Sequence, residues 1–271
     1  MTIQEKIEKL AKQKRRKIGV GYLRDVPEVI ESLRRAQEFA DIIIIGKKIE
    51  GFSHIAANQT NLEKICVEAY KQNKIEGLLR GHGDASTLRD VICREYGYKL
   101  NDIIELALIS DITGHSFLFG PVSQAQGWPK NQKLEAIRAM SEVTKNFSID
   151  SKVALLTAVR TGSRGRNFFL DLSYEIADDC VEWCRQNGID AKNYNIELET
   201  ALKEKCNIII PPNGVAGNHA IRAITCIAGK PAYTYLVLGI KENITENMRN
   251  ETDWTNFVRY LVARANSDLF S

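Results

Sequence analysis

The chain has 271 residues, 44% of them hydrophobic and 26% charged, with a formal net charge of +3. Those values are globular averages, so a disordered chain, a collagen-like repeat and a small disulfide scaffold are all excluded. The longest purely aliphatic run is Ile42–Ile45, far below the ~20 residues of a membrane helix.

Residues 3–16 predict a basic amphipathic helix. Residues 1–17 hold seven Lys or Arg against Glu5 and Glu8, which leaves the rest of the chain at −2. The Lys14–Lys17 run is read either as a solvated helix end, where positive charge suits the dipole, or as a polyanion contact. With an acidic remainder, a nucleic-acid partner is disfavoured. Lys17–Leu23 reads as a strand, and Pro27 opens a helix to about Phe39. Asp41–Gly46 is a short buried strand, residues 60–73 are helical, and Ile75–Arg80 is a strand. A helix follows from Asp84, a good N-cap.

Ile103–Ile112 and Ser116–Phe119 predict two strands, and Gly120-Pro121 then breaks the chain. In the next helix Leu134, Ile137, Met140, Val143 and Phe147 mark one apolar face. Lys152–Val159 is a strand. Residues 171–187 form a helix with Leu172, Ile176, Cys180 and Trp183 on one side, closed by Gly188. Residues 195–205 are helical, Cys206–Ile210 is a strand, and a helix starts near Gly217-Asn218. Tyr233–Ile240 is a strand, and a last helix runs from about Asp253 to Ala265. Strands separated by helices predict a mostly parallel α/β protein, with ligand loops at the carboxyl ends of the strands.

Six cysteines form no CxxC and no Cys/His cluster of zinc spacing, so no metal site is expected. Scattered thiols and the lack of a leader-like apolar stretch predict a soluble, cytoplasmic protein without membrane contact. Cys180 and Cys184 share a helix face, where core packing is the expected role.

Three loops have the composition of sites. In Val153–Arg166 a strand ends in RTGSRGR. There the amides of Thr161, Gly162 and Ser163 and the guanidinium groups of Arg160, Arg164 and Arg166 suit an anion. The plainer reading is an exposed basic turn. In Ile208–Arg222 a strand runs through Pro211-Pro212 into a Gly-rich turn, with Gly217 and Asn218 placed to offer helix-start amides. His219 lies beside them. In Gly77–Arg89 a GHG turn follows Arg80 and precedes the Asp84 cap, so Arg80, His82 and Arg89 are candidates for a cleft. Gly19-Val20-Gly21 lacks the third glycine of a dinucleotide fingerprint. Asp111 and His115 do not meet the corrinoid lower-ligand spacing, and no iron–sulfur, HExxH or GxSxG motif occurs.

GLLRGHGDASTLRDV, VALLTAVRTGS and PPNGVAGNHAIRAI, in that order, resemble the phosphate acetyl/butyryltransferase superfamily. RTGSRGR and the short N-terminus are closer still to the archaeal MtxX family (methanogenesis marker protein 4, "putative methyltransferase subunit X"). The resemblance covers roughly residues 75–265. It implies a two-domain phosphotransacetylase-like α/β fold, related to isocitrate and isopropylmalate dehydrogenases, with mostly parallel sheets and an interdomain cleft. Residues 1–98 with 235–271 would form one domain and 99–234 the other. It also implies a homodimer, a small anionic ligand of the coenzyme A or acyl phosphate kind, and a methyltransferase or methanogenesis protein as partner. No cofactor is fixed by the sequence.

In the acyltransferases a late LSRG-like segment and a following Asp are catalytic. Here the matching segment is Glu246–Val258, where Arg249 matches the arginine. Met248 replaces the serine, Asn250 the glycine, and the Asp falls near Asn256, with Asp253 out of register. Arg249 and Asp253 are the catalytic candidates, and Arg249 also joins Arg80 as an anion ligand. A thioether cannot donate to an oxyanion and an amide cannot take a thiol proton. Two readings therefore stand: group transfer, methyl or acyl, or a ligand-sensing or assembly subunit that lost the acyltransferase residues.

Overall fold

A computed structural model describes residues 2–111, 113–228 and 232–267. The chain forms two compact units, Ile3–Ile103 with the segment from Tyr233 onward, and Ile104–Ala232.

The first unit opens with α1 (Ile3–Ala11), β1 (Arg16–Tyr22), α2 (Pro27–Ala36), β2 (Ala40–Gly46) and β3 (Ser53–Ala56). It continues with α3 (Leu62–Lys71), β4 (Gly77–Leu79) and α4 (Ala85–Tyr96). Its sheet runs β11-β4-β1-β2-β3, where β11 is Ile244–Thr245, and every pairing is parallel. β1 and β2 are apolar on both faces, with Ile18, Val20, Ile44 and Ile45 fully buried, as a sheet covered on both sides requires. Ile3, Ile7 and Ala11 of α1 are buried, and α1 packs on α9 (Thr255–Asn266).

The second unit holds β5 (Ile104–Ser110), β6 (Ser116–Phe119), α5 (Lys130–Asn146), β7 (Lys152–Leu155) and α6 (Phe168–Gln186). Then come β8 (Asp190–Asn193), α7 (Leu198–Lys203), β9 (Ile208–Ile210) and α8 (Gly214–Arg222). Its strands lie in the order β5-β6-β9-β7-β8. β6, β9, β7 and β8 pair in parallel, while β5 and β6 form an antiparallel hairpin. The short Asp111–His115 link is too brief for a crossover. Ile112, the end of the expected strand there, lies outside the described residues. β10 (Thr234–Leu238) packs against α9 and β11.

Several expectations are corrected. The first helix stops at Ala11 instead of residue 16. Arg15 instead donates to the carbonyls of Glu38 and Ala40 at 3.0 and 2.8 Å and pairs with Asp41 at 2.7 Å. Arg16 pairs with Glu76 at 2.7 Å and donates to Asn266. Arg15 and Arg16 thus tie down the amino ends of β1 and β2 from the surface. β3, β8 and β11 are strands that the pattern did not reveal, being exposed, polar or two residues long. α8 begins at Gly214, capped by the Asn213 side chain, three residues before the expected start. Cys180 and Cys184 are wholly buried, as packing residues. Among the described residues no helix is long and apolar enough to cross a membrane.

Candidate functional site

In the first unit β1 has β2 on one side and β4 on the other. The chain leaves β1 toward β2 and β3, then returns to lay β4 against β1's opposite edge. The crevice between the carboxyl ends of β1 and β4 is therefore the switch point of a parallel sheet, where such folds bind ligands.

Two glycines shape that crevice. A Cβ on Gly21 would meet the Arg80 carbonyl at 2.3 Å, and one on Gly81 would meet the Gly21 carbonyl at 2.0 Å. Gly81 also has φ +62°, a region that favours glycine. The His82 amide then donates to the Gly21 carbonyl at 2.9 Å. Around this contact opens a cavity of about 650 Å³. Leu23 and Arg24 reach it from the end of β1, Gln59, Thr60 and Glu63 from the start of α3. The segment Arg80–Asp84 and Thr87 follow β4, and Asn247 and Arg249 follow β11.

Arg80 is only 6% exposed and its guanidinium is already engaged. Nη1 donates to the Gly83 carbonyl, Nη2 to the Asn247 carbonyl, and Nε lies 3.3 Å from Glu246 Oε2. It ties the loop after β4 to the strap after β11. Burial raises the Glu246 carboxyl, and the Arg80 charge beside it works against that. Glu63, also buried, accepts the Asp84 amide at 2.6 Å. Asp84 caps α4 as expected, accepting the Thr87 amide at 2.9 Å. Arg249 is 85% exposed and approaches Asp84 Oδ2 at 3.4 Å.

His82 stands between the rings of Tyr22 and Trp254, each centroid 5.1 Å away. Its Nδ1 accepts the Leu23 amide at 3.2 Å, so in the neutral ring Nε2 carries the proton. Burial, helped by the Arg24 and Arg80 charges, pushes its pKa down to about 4. His82 is a neutral donor at pH 7. In the strap, Met248 Sδ accepts the Tyr235 hydroxyl at 2.6 Å, and the Met248 amide donates to Glu251 Oε2 at 2.8 Å. Burial pushes the Glu251 carboxyl up to about 7.

Of the residues singled out from sequence, Arg80 and Arg249 come together at this cavity, with His82. Arg89 does not line it, yet its charge acts on Arg80 and Glu246; the other candidates lie elsewhere. Asp253 pairs with Arg35 at 2.9 Å and accepts the Thr255 amide at 3.0 Å. It does not line the cavity. Arg160, Thr161, Gly162, Ser163, Arg164 and Arg166 belong to a mostly exposed loop of the second unit, away from this cavity. The Ser163 and Arg164 amides donate to the Arg160 and Thr161 carbonyls, and the Gly165 amide to both Asp171 oxygens at 3.0 Å. Arg160 faces Glu197 at 3.5 Å, and Arg164 stacks 4.5 Å over the Tyr174 ring. Arg166 is exposed.

Gly217 and Asn218 are inside α8 and offer no helix-start amides. The Gly217 amide donates to the Asn213 carbonyl, and a Cβ there would meet the Pro121 carbonyl at 2.3 Å. Asn218 donates to the Val122 carbonyl. His219 is exposed, and His115, in the β5–β6 link, donates from Nε2 to the Cys206 carbonyl at 2.8 Å. Arg24, Glu63, Asn247 and Glu251 were not singled out. Arg24 alone carried a signal, as the first charge after a buried strand.

No protein-family model matches the chain. A protein described as "putative methyltransferase mtx subunit X" from Methanosarcina barkeri is 29% identical over 225 residues, covering 81% of this chain and 82% of its own. A phosphotransacetylase from Streptococcus pyogenes superposes with a TM-score of 0.69 at 14% identity, covering 98% of this chain and 99% of its own. The EutD phosphotransacetylase from Staphylococcus aureus gives 0.64 at 14% identity, covering 97% and 98%. The resemblance to subunit X proteins is borne out, as is the phosphotransacetylase-like α/β fold with mostly parallel sheets. At such identities the solved structures speak for the fold alone.

Proposed function

We propose that this protein binds a small phosphorylated or coenzyme A-type anion in the switch-point cavity of its first unit, as a transferase-fold protein of the phosphotransacetylase kind. The observation that carries the reading is the rim of that cavity. Arg249 and Arg24 stand there exposed, while Arg80 spends its own guanidinium on holding the strap that presents Arg249. Guanidinium groups pair bidentately with phosphate and carboxylate oxygens, which suits this rim to either. The neutral His82 ring adds an uncharged donor.

The reaction class we assign is group transfer, methyl or acyl. The methyl reading follows the name of the Methanosarcina relative, and the acyl reading follows the fold. A homodimer with a methyltransferase or methanogenesis protein as partner belongs to the same reading. A specific observation favours a second, non-catalytic reading. Met248 stands beside Arg249 where the acyltransferases carry a serine, and its sulfur already accepts the Tyr235 hydroxyl.

A thermal-shift panel separates the readings, with phosphate, acetyl phosphate, coenzyme A and S-adenosylmethionine as probes. A ligand at ~100-fold over its Kd adds about 2.7 kcal/mol. Stabilisation by phosphate or acetyl phosphate, lost in Arg249→Ala, is the expected result. Turnover of acetyl phosphate with coenzyme A to the thioester would establish acyl transfer. Binding without turnover of any donor in the panel would favour the sensing subunit, and no binding at all would overturn the anion site.

A further inference from the structure

We infer that Asp84 is an internal competitor for the anion site: its carboxylate holds Arg249 across the cavity mouth, and an incoming anion must displace it. The inference rests on the anion-binding reading above.

Asp84 and Arg249 come from different segments, the N-cap of α4 and the strap after β11, and both line the same cavity. Arg249 Nη2 lies 3.4 Å from Asp84 Oδ2. The other Asp84 oxygen, Oδ1, accepts both the amide and the hydroxyl of Thr87, at 2.9 and 3.1 Å. The carboxylate thus does two separable things, capping with one oxygen and holding a cation with the other. The pair is long and well exposed, 85% on the arginine side and 47% on the aspartate side. Such a pair is weak and screened, so a phosphate with two or three oxygens for the same guanidinium can replace it. The backbone under both partners is fixed, by Glu63 below Asp84 and by Arg80 below the strap. Exchange therefore costs a side-chain rotation only.

Charge and cap can be separated by substitution. Asn caps a helix as well as Asp does. Asp84→Asn keeps the Oδ1 acceptor and removes the negative charge that faces Arg249.

The test is calorimetric titration of inorganic phosphate into the full chain at low salt, for wild type, Asp84→Asn, Arg249→Ala and the double variant. Asp84→Asn should bind phosphate about three- to fivefold more tightly, and the gain should vanish in the Arg249→Ala background. Asp84→Ser, another good cap, should repeat the result should the Asn variant fold poorly. Unchanged or weaker binding in Asp84→Asn would overturn the inference. So would the same gain with and without Arg249, which would mean through-space repulsion instead of competition. Failure of the anion site itself looks different: wild type would not bind, or Arg249→Ala would bind as wild type does.

Discussion

The carboxyl ends of the parallel strands in the two sheets differ in where their polar groups go. In the first unit the crevice between β1 and β4 opens into a cavity rimmed by Arg24 and Arg249. In the second unit the corresponding loops are closed by the chain itself. Gly214 at the start of α8 donates to the Gln126 carbonyl, and Ala216 to the Asn213 side chain. Lys133, 2% exposed, donates its ammonium to the carbonyls of Gly127, Pro211 and Pro212. In the 160–166 loop the Ser163 and Arg164 amides turn on carbonyls of the same loop and the Gly165 amide on Asp171. Both regions carry glycines, arginines and a helix start. Only the accounting of each backbone group separates a binding loop from a packed one.

The comparison breaks most sharply at glycine. Gly81→Ala should cost several kcal/mol and close the cavity, since its Cβ would lie 2.0 Å from a backbone oxygen at a positive φ. Gly162→Ala in the second unit, where a Cβ meets nothing within 4 Å, should stay within about 0.5 kcal/mol. Denaturant midpoints for both variants check the pair. Lys133→Met should cost about 3 kcal/mol, because two buried carbonyls and one half-buried one lose their donor at once. A loss below 1 kcal/mol would mean that the second unit's loops close without it.

The pH response sharpens the first unit's side. The His82 pKa in the fold, about 4, is below its ordinary value of about 6.5. Its contribution is therefore fully present above pH 6.5 and is lost as pH falls through 4. His82→Gln, which keeps an acceptor for the Leu23 amide, should flatten the fall in stability between pH 6.5 and 4 by on the order of 2 kcal/mol. Unfolding free energies measured at both pH values in the two proteins decide this. Glu251, pushed up to about 7, works in the opposite sense, favouring the fold at acidic pH.

The fold was largely legible because its signals are local. Buried aliphatic runs made β1, β2 and β9 visible, the Asp84 cap placed α4, and Gly188, at φ +70°, closes α6. β8 hid because its four residues, DAKN, lie at a half-exposed edge without an apolar face. α8 was misplaced because Asn213 caps through a side chain that precedes the glycines. The candidate cavity was half legible. Arg80 and Arg249 both line it, but Arg80's duty as a clamp depends on Glu246 and Asn247, more than 160 residues away. Gly21 belonged to an incomplete dinucleotide motif, yet its missing side chain is what lets β4 approach β1. In RTGSRGR composition does not reveal that Asp171 takes the Gly165 amide.

The smallest change tests the central claim most directly. Phosphate affinity is to be measured by calorimetry in Arg249→Ala and in Arg164→Ala, both exposed arginines whose loss should leave stability within about 0.5 kcal/mol. The account predicts roughly tenfold weaker binding in Arg249→Ala, consistent with the loss of one charge-assisted contact of about 1.5 kcal/mol, and no change in Arg164→Ala. Weakening in Arg164→Ala with Arg249→Ala unchanged would contradict it and move the anion site to the second unit.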